Sequence, residues 1–334
     1  MLLFVCCVLS AQKVQANLID EIILSNAPIL VSRKDQATNP QTDVPLKLAY
    51  SIQYFSQGEA LVRYTAFFSD EDSLTSQDKT ERQMGRYGRR LDIEWVFDVR
   101  FNAISGQIIA REYQCDLGGG IGHKKCKFSG KEDPVTKRPI LYIITKNNIF
   151  SENPQSPYGD PNGKWIMLDP SIQIPSPYAR ERILFDFPEL FKLSDEEIAR
   201  EGRLLAPSTE YLYFRLRGVL NFGGFWIGIR DKAGNEFWSG GQQKDSALEK
   251  IGEDLWMEES FVGIRIPETL KADILQKRET LTLLFKPKKE GVVFEMKELG
   301  SYLLDSGITG YQTISLNDRI ECAITNRVDS CVVL

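Results

Sequence analysis

The sequence predicts a mainly β protein made of two β-sandwich or jelly-roll domains joined by a short helical connector. Many short segments rich in aromatic and β-branched residues alternate with Gly- and Asn-containing turns. Helix signals concentrate in one stretch, and a chain of 334 residues is longer than a single core usually serves. We therefore expect a front β-domain over residues 17–177, a connector over 178–205 and a rear β-sandwich domain over 206–334.

The amino-acid composition and net charge argue against one class of partner, nucleic acids. Apolar residues make up 42% of the chain and charged residues 26%, which is ordinary for a globular protein, and the formal net charge is −5. A nucleic-acid surface would need a basic stripe that this charge balance does not indicate. We expect no nucleic-acid partner.

Residues 1–16 are typical of a secretory signal peptide. A short apolar run is followed by small residues, with Val14 and Ala16 placed for a cut after Ala16. The run is shorter than the roughly 20 apolar residues that span a bilayer, and no later segment is longer, so we expect no transmembrane segment. A lipoprotein anchor at Cys6 is the alternative, although Cys6 lies very early in the chain. The sequence predicts a secreted or periplasmic protein.

The cysteines support export. Removal of the signal peptide leaves four of them, Cys115, Cys126, Cys322 and Cys331. Of the three possible pairings, bonds between sequence neighbours are favoured, because each would close a short loop and add about 3 kcal/mol of stability. A metal site of four thiolates is disfavoured because no C-x-x-C spacing occurs. Disulfides indicate an oxidising compartment.

The front domain contains predicted hairpins. The segments "VPLKLAYSIQYF" and "EALVRYTAFF" are joined by a short Gly-containing loop, and "LDIEWVFDVRF" turns through "NAISG" into "QIIAREYQC". Strict alternation in "LDIEWVFDVRF" would place Ile93, Trp95 and Phe97 on the core face and Asp92 and Glu94 on a polar face. "RPILYIIT" is predicted as a buried strand, and the Pro- and Gly-rich residues 147–177 as a long loop.

The connector has helix signals and the rear domain returns to strands. Pro188 should break the connector helix, and Ser194 with Glu197 has the spacing of a capping box. Segments such as "TEYLYFRLRG", "FGGFWIGIR", "SFVGIRIP" and "ETLTLLFKP" are then predicted strands.

Acidic residues on either side of "GRYGRR" form a candidate cation site. Asp70 and Asp72 follow one predicted strand, and Asp92 and Glu94 point the same way from another, about 6.5 Å apart. We expect the segment between them, residues 73–90, to be a loop that folds back over the same sheet edge. A site of oxygen ligands without clustered His or Cys favours Ca²⁺ over zinc. Calcium is therefore the candidate cofactor.

The same acids have two other interpretations. Arg86, Arg89 and Arg90 lie close in sequence and could pair with them, which would make the stretch structural. Alternatively, Asp92 and Glu94 lie at a distance compatible with the carboxyl pair of a glycoside hydrolase. Two acids on one strand face rarely flank a sugar from opposite sides, so no catalytic residue is assigned. The only histidine of the chain, His123, lies in a Gly-rich loop.

The stretches "FFSDEDS" and "GRRLDIEWVFDV" resemble a motif of uncharacterised secreted bacterial β-rich proteins. More distantly, residues 60–100 are similar to necrosis- and ethylene-inducing-like proteins, secreted β-sandwich cytolysins with a Gly-His-Arg-His-Asp-Trp-Glu motif beside a divalent cation. Gly88, Arg89, Asp92 and Glu94 fit that motif, whereas Arg90 and Leu91 replace or displace its histidines. The resemblance implies a β fold and a bound cation.

The rear domain offers an aromatic surface. Because Phe225 and Ile227 should face the core, Trp226 and Arg230 should share the opposite face, where one of Phe237 and Trp238 joins them. Exposed aromatic rings beside polar groups are typical of a sugar-binding platform. Alternatively, Trp226 packs under a loop or against the front domain.

The ligand-binding candidates are therefore Arg89, Trp226, Arg230 and Trp238. Three functional hypotheses follow: a binding protein for an extracellular glycan or other surface ligand, assisted by calcium; a carboxylate-dependent glycan hydrolase; and a structural envelope protein without catalysis. Sequence alone does not decide between them.

Overall fold

The protein is mainly β, with one large curled sheet and two smaller sheets. The computed structural model describes residues 16–33, 43–70, 77–115, 123–154, 159–174, 180–220, 224–242, 248–249, 260–279, 281–288, 294–314 and 320–322. The chain divides into two compact units, the first of residues 1–73 and 92–178 and the second of residues 74–91 and 179–334. Within the described ranges, no helix combines the length and the hydropathy needed to cross a membrane.

The first unit is built around the large sheet. Helix α1 covers residues 16–25. The strands are β1 (Ile29–Val31), β2 (Pro45–Tyr54), β3 (Glu59–Phe68), β4 (Asp92–Asn102), β5 (Ile108–Cys115), β6 (Lys124–Lys127), β7 (Ile140–Ile143), β8 (Phe150–Ser151), β9 (Trp165–Met167) and β10 (Pro170–Gln173). Among the described strands the order is β10-β2-β3-β4-β5-β8-β7-β1-β9, and β6 pairs with β5.

The antiparallel run β2-β3-β4-β5 forms the centre of this sheet and confirms the predicted hairpins. β7 is fully buried, as "RPILYIIT" predicted. The expected long loop over residues 147–177 is wrong in part, because β8, β9 and β10 lie within it. These strands are only two to four residues long. Their pairing with neighbouring strands of the sheet outweighs the turn-forming composition.

A β-bulge in β4 overturns the predicted faces of that strand. Tyr64 pairs with Phe97, but the next residue of β3, Thr65, pairs with Trp95, so Val96 is an extra residue. Val96 and Phe97 both lie in the core, and the alternation reverses on the N-terminal side of them. Asp92 and Glu94 therefore share the core-facing side of the sheet, where a polar, solvent-facing side was expected.

The second unit has two sheets. Its strands are β11 (Tyr211–Leu220), β12 (Gly224–Arg230), β13 (Glu236–Trp238), β14 (Leu248–Glu249), β15 (Ser260–Arg265), β16 (Thr282–Pro287), β17 (Phe294–Leu304), β18 (Tyr311–Thr313) and β19 (Ile320–Cys322). One sheet has the order β15-β11-β17-β18 and the other β13-β12-β16-β19, with β14 beside β12. Phe214, Val262, Ile227 and Leu283 belong to one hydrophobic cluster to which both sheets contribute.

The helices of the second unit are α2 (Gln77–Tyr87), α3 (Arg180–Asp186), α4 (Glu189–Arg200) and α5 (Glu268–Leu275). Where a loop was expected over residues 73–90, the structure has α2, which packs within the second unit. A side-chain carbon at Gly85 would lie 2.5 Å from the backbone nitrogen of Gly240, so only glycine allows this approach. Pro188 separates α3 from α4 as predicted, but Ser194 is buried inside α4, so the predicted capping box is wrong.

Candidate functional site

Three buried aspartates meet at one end of the large sheet. Asp43 precedes β2, Asp70 follows β3 and Asp92 begins β4. The pairing of these strands brings the three positions together, because Phe68 lies opposite both Pro45 and Asp92. The exposed fractions of Asp43, Asp70 and Asp92 are 0%, 0% and 3%. We call these aspartates, together with Asn148, the acid cluster.

Asn148 connects two of these carboxylates. Its Nδ2 donates to Asp43 Oδ2 at 3.0 Å and to Asp92 Oδ2 at 2.9 Å. Asn148 has a left-handed backbone conformation, with φ of 51°, which asparagine tolerates better than most residues. The turn is held by Thr145, whose Oγ1 accepts from the backbone nitrogen of Ile149 at 3.0 Å. Both the backbone and the side chain of Asn148 therefore suit this position.

Burial sets the protonation of the acid cluster. Desolvation raises the pKa of Asp43 well above its usual range, and the hydrogen bond and charge of Asp70 raise it further. The Arg33 guanidinium opposes this shift, and its Nη1 donates to the carbonyl oxygen of Thr145 at 2.6 Å. Burial thus favours the protonated form of Asp43, which can donate a hydrogen bond to Asp70.

The structure describes three of the four predicted metal ligands, Asp70, Asp92 and Glu94. Asp70 and Asp92 belong to the acid cluster, whereas Asp72 lies outside the described residues. Glu94 accepts from Gln114 Nε2 at 2.6 Å and lies 3.4 Å from His123 Nδ1. In the part of the chain that the structure describes, no group of three or more His, Cys, Asp or Glu side chains is arranged to hold a metal ion. Calcium binding stays a prediction.

The neighbouring arginines have partners within the second unit. Arg90 is buried, forms an ion pair with Asp195 and donates to Ser208 Oγ at 2.9 Å. Arg89, a predicted ligand-binding residue, is 5% exposed and lies over the ring of Tyr87. The side chain of Arg89 is therefore buried.

The predicted aromatic residues come together on the outer side of β12. Phe225, Ile227 and Ile229 lie in the hydrophobic cluster, so Trp226 and Arg230 point away from it, and Trp226 is partly exposed. Trp238 of β13 lies opposite Gly228, between those two positions. Trp226, Arg230 and Trp238, with Glu236 and Lys286, form the surface that we call the tryptophan face.

Gly228 determines the position of the Trp238 ring. A side-chain carbon at Gly228 would lie 2.6 Å from Cε3 and 2.7 Å from Cδ2 of Trp238, so the indole occupies the space that glycine leaves empty. Trp238 Nε1 donates to Glu236 Oε2 at 3.1 Å. The ring is thus fixed by contact with the strand and by a hydrogen bond at its edge.

Glu236 also holds Arg230. Its Oε1 accepts from Arg230 Nη2 at 2.9 Å and from Nε at 3.1 Å. These hydrogen bonds lower the pKa of Glu236, and those of Trp238 and the charge of Lys286 act in the same direction. Glu236 therefore stays ionised and organises the polar end of the tryptophan face.

Sequence reasoning missed Gly228, Glu236, Asp43 and Asn148. The first pair could have been found, because the turn "DKAGN" fixes the hairpin register and places Glu236 opposite Arg230. The second pair had no such signal, because Asp43 and Asn148 are 105 positions apart and meet only through the sheet.

The chain matches no known protein family, no curated protein and no solved structure. The resemblances stated above therefore stay predictions, and the function has to be argued from the geometry.

The disulfide expectation is met where the structure describes it. Cys115 and Cys126 are bonded, with their Cα atoms 5.8 Å apart. Cys331 lies outside the described residues, so the pairing of Cys322 with Cys331 stays a prediction.

Proposed function

We propose that this is a secreted or periplasmic binding protein for a glycan or a related surface ligand, and that the tryptophan face is its contact surface. The observation that supports this most strongly is the placement of Trp238, held flat against Gly228 and bound at its edge by Glu236. A fixed indole loses little conformational entropy when a ligand stacks on it.

The chemistry of the tryptophan face suits a sugar. Indole rings stack against the apolar face of a pyranose, and neighbouring polar groups bind its hydroxyls. Trp226 lies diagonally across from Trp238, about 7–8 Å away for positions so related in a sheet. Arg230 and Glu236 supply a donor and an acceptor at one end. The face therefore combines stacking surface with hydrogen-bonding groups.

A glycan hydrolase that uses Asp92 and Glu94 is a weaker alternative. Their exposed fractions are 3% and 5%, and Asn148 and Gln114 each donate to one oxygen of these carboxylates. A catalytic carboxyl has to reach the glycosidic bond. We infer a structural role for both acids. A structural envelope protein remains the other alternative, and for it no polysaccharide binding is expected.

Export and the finer fold belong to the same proposal. The Cys115–Cys126 disulfide supports an oxidising compartment. We propose a β-sandwich for the second unit because residues of both its sheets share one hydrophobic cluster. For the first unit, whose large sheet is curled, we propose a sandwich or jelly roll.

The test is polysaccharide binding by the whole chain and its variants. Affinity electrophoresis in uncharged cellulose derivatives, soluble chitin and β-glucan would be compared for the wild type and for Trp226→Ala/Trp238→Ala. We expect retardation in at least one polymer and about tenfold weaker binding by the double variant.

The matched control is Trp165→Ala, which removes a tryptophan that is 47% exposed on β9 of the first unit. We expect it to bind as the wild type does. Binding by no polymer, or equal binding by the double variant and the wild type, would contradict the proposal.

A further inference from the structure

A second surface is marked by its charge. Residues 123–138, "HKKCKFSGKEDPVTKR", contain five lysines and one arginine against two acids, a net charge of +4 in a chain whose net charge is −5. All residues of this segment are described. It lies in the first unit and includes β6. We call it the lysine segment.

The acids of the lysine segment are already engaged. Glu132 forms an ion pair with Arg111 of β5. Asp133 accepts from the backbone nitrogen of Thr136 at 2.6 Å and from its Oγ1 at 2.7 Å. These hydrogen bonds lower the pKa of Asp133, which keeps it ionised as an acceptor within its own turn.

Two of the basic residues are engaged as well. Lys125 Nζ lies 2.9 Å from Asp98 Oδ2 and 3.0 Å from Glu112 Oε2. Arg138 is buried and donates to Asp169 Oδ1 at 3.1 Å. The basic residues that are left are Lys124, Lys127, Lys131 and Lys137. Each is exposed, and none forms a side-chain hydrogen bond or ion pair with any residue that the structure describes.

The backbone that presents Lys124 and Lys127 is held by strand pairing and by a disulfide. β6 pairs with β5 from Glu112 opposite Lys127 to Cys115 opposite Lys124. Cys126, next to Lys127, is bonded to Cys115. The Cα atoms of Lys124 and Lys127 are about 10 Å apart along the strand, and because the two residues are three positions apart, their side chains leave opposite faces of β6. A partner with repeating negative charge would therefore bind cations without the entropy cost of ordering this backbone.

We propose that the lysine segment binds an acidic polysaccharide, such as a polymer of uronic acids. All four available cations are lysines, which act as mobile point charges, whereas phosphate and nucleic-acid sites favour the bidentate fork of arginine. A segment that binds an anionic bilayer usually adds a row of apolar side chains, but Val135 is the only large apolar side chain exposed in the segment. This proposal does not depend on the tryptophan face.

The experiment measures binding of the whole chain to immobilised polygalacturonate at about 50 and about 200 mM salt. The test variant replaces Lys124, Lys127, Lys131 and Lys137 by glutamine. The control variant makes the same change in net charge at four exposed lysines of the second unit, Lys79, Lys192, Lys232 and Lys277. Vesicles rich in phosphatidylserine provide the second probe, and circular dichroism confirms that each variant is folded.

We expect the wild type to bind polygalacturonate and to release it as salt rises. The test variant should bind about tenfold more weakly and with a shallower salt dependence, whereas the control variant should stay within about twofold of the wild type. Equal losses in both variants, lysine-dependent binding to vesicles alone, or no binding to polygalacturonate would overturn the proposal. Trp226→Ala/Trp238→Ala is measured on the same polymer. Loss of binding in this variant would assign polygalacturonate binding to the tryptophan face rather than to the lysine segment.

Discussion

The acid cluster of the first unit and the tryptophan face of the second unit are both formed where neighbouring antiparallel strands bring polar groups together, yet they differ in burial. The aspartates of the acid cluster are at most 3% exposed. Trp226 and Trp238 are partly exposed, and Glu236 is exposed. The acidic residues of the first unit are thus buried, whereas the aromatic and polar residues of the tryptophan face are accessible.

From this difference we predict a stability role for the acid cluster and a recognition role for the tryptophan face. A buried charge is tolerated only when it is hydrogen-bonded, paired or neutralised, so the acid cluster is constrained by its own partners. The tryptophan face keeps the Trp238 ring in place with one glycine and one ionised acid, and this arrangement leaves aromatic surface accessible. We therefore expect variants of the acid cluster to change folding and variants of the tryptophan face to change binding.

The largest expected effect is at Asn148. Asn148→Ala removes the amide that donates to Asp43 and Asp92 and places alanine in a left-handed conformation. We expect the free energy of unfolding to fall by about 3–4 kcal/mol, measured by urea denaturation.

Asn148→Gly separates these two causes, because glycine accepts the backbone conformation and still lacks the amide. We expect Asn148→Gly to recover about 1 kcal/mol of the loss. Asn162→Ala, in an exposed turn, is the control and should change stability by less than about 0.5 kcal/mol. An Asn148→Ala protein as stable as this control would show that the acid cluster does not need the amide.

The next effect is a pH dependence that comes from Asp43. Because the pKa of Asp43 is raised in the folded state, its contribution to stability is complete below the usual carboxyl pKa and is lost as pH rises toward the folded value. Each pH unit in that window removes up to about 1.4 kcal/mol. We expect melting temperature to fall as pH rises above the usual carboxyl pKa.

Asp43→Asn cannot ionise and should flatten this profile. The melting temperature of the variant should therefore rise relative to that of the wild type as pH rises. Glu132→Gln, at an exposed ion pair of the same unit, is the control and should keep the wild-type slope. Parallel profiles for Asp43→Asn and the wild type would assign the pH dependence to other groups.

A smaller effect on stability, but a large one on binding, is expected at Gly228. Gly228→Ala places a methyl group where the Trp238 ring lies, 2.6 Å from Cε3, and displaces the indole from the strand. We expect polysaccharide binding about tenfold weaker, with about 1 kcal/mol or less lost in stability. Gly307→Ala, where the nearest atoms are 3.5 Å away, should leave both unchanged.

The smallest effect is expected at Glu236. Glu236→Gln keeps an acceptor for Trp238 Nε1 but loses the ion pair with Arg230 at the surface. Unfolding free energy should change by less than about 1 kcal/mol. Because the pKa of Glu236 is lowered, its carboxyl should be protonated only in strong acid, and wild-type binding should weaken only there. A fall in wild-type binding near neutral pH would contradict this role.

Local patterns predicted the strands and the tryptophan face better than the acid cluster. Alternation in "FGGFWIGIR" places Trp226 and Arg230 on one face because β12 has no bulge. The same rule failed in β4, where one extra residue, Val96, reverses the faces of Asp92 and Trp95. No period in a sequence marks a bulge, because it depends on the pairing of two strands.

Long-range partners explain the remaining differences. The sequence of α2 is polar and predicts a loop. The helix packs through Gly85 against the backbone of Gly240, which is far along the chain, so its local sequence does not show this contact. Arg90 was considered a partner of nearby acids, whereas Asp195 forms an ion pair with it. Both contacts need the folded second unit, and sequence spacing does not contain that information.

The most direct test compares the two regions in one binding assay. Asp92→Asn/Glu94→Gln and Trp226→Ala/Trp238→Ala would be titrated with the uncharged polysaccharide that retards the wild type most, after each variant is shown to be folded. We expect Asp92→Asn/Glu94→Gln to bind as the wild type does and Trp226→Ala/Trp238→Ala to lose about tenfold in affinity. Loss of binding in the acid variant, with the tryptophan variant unchanged, would contradict this expectation and return function to the carboxylates.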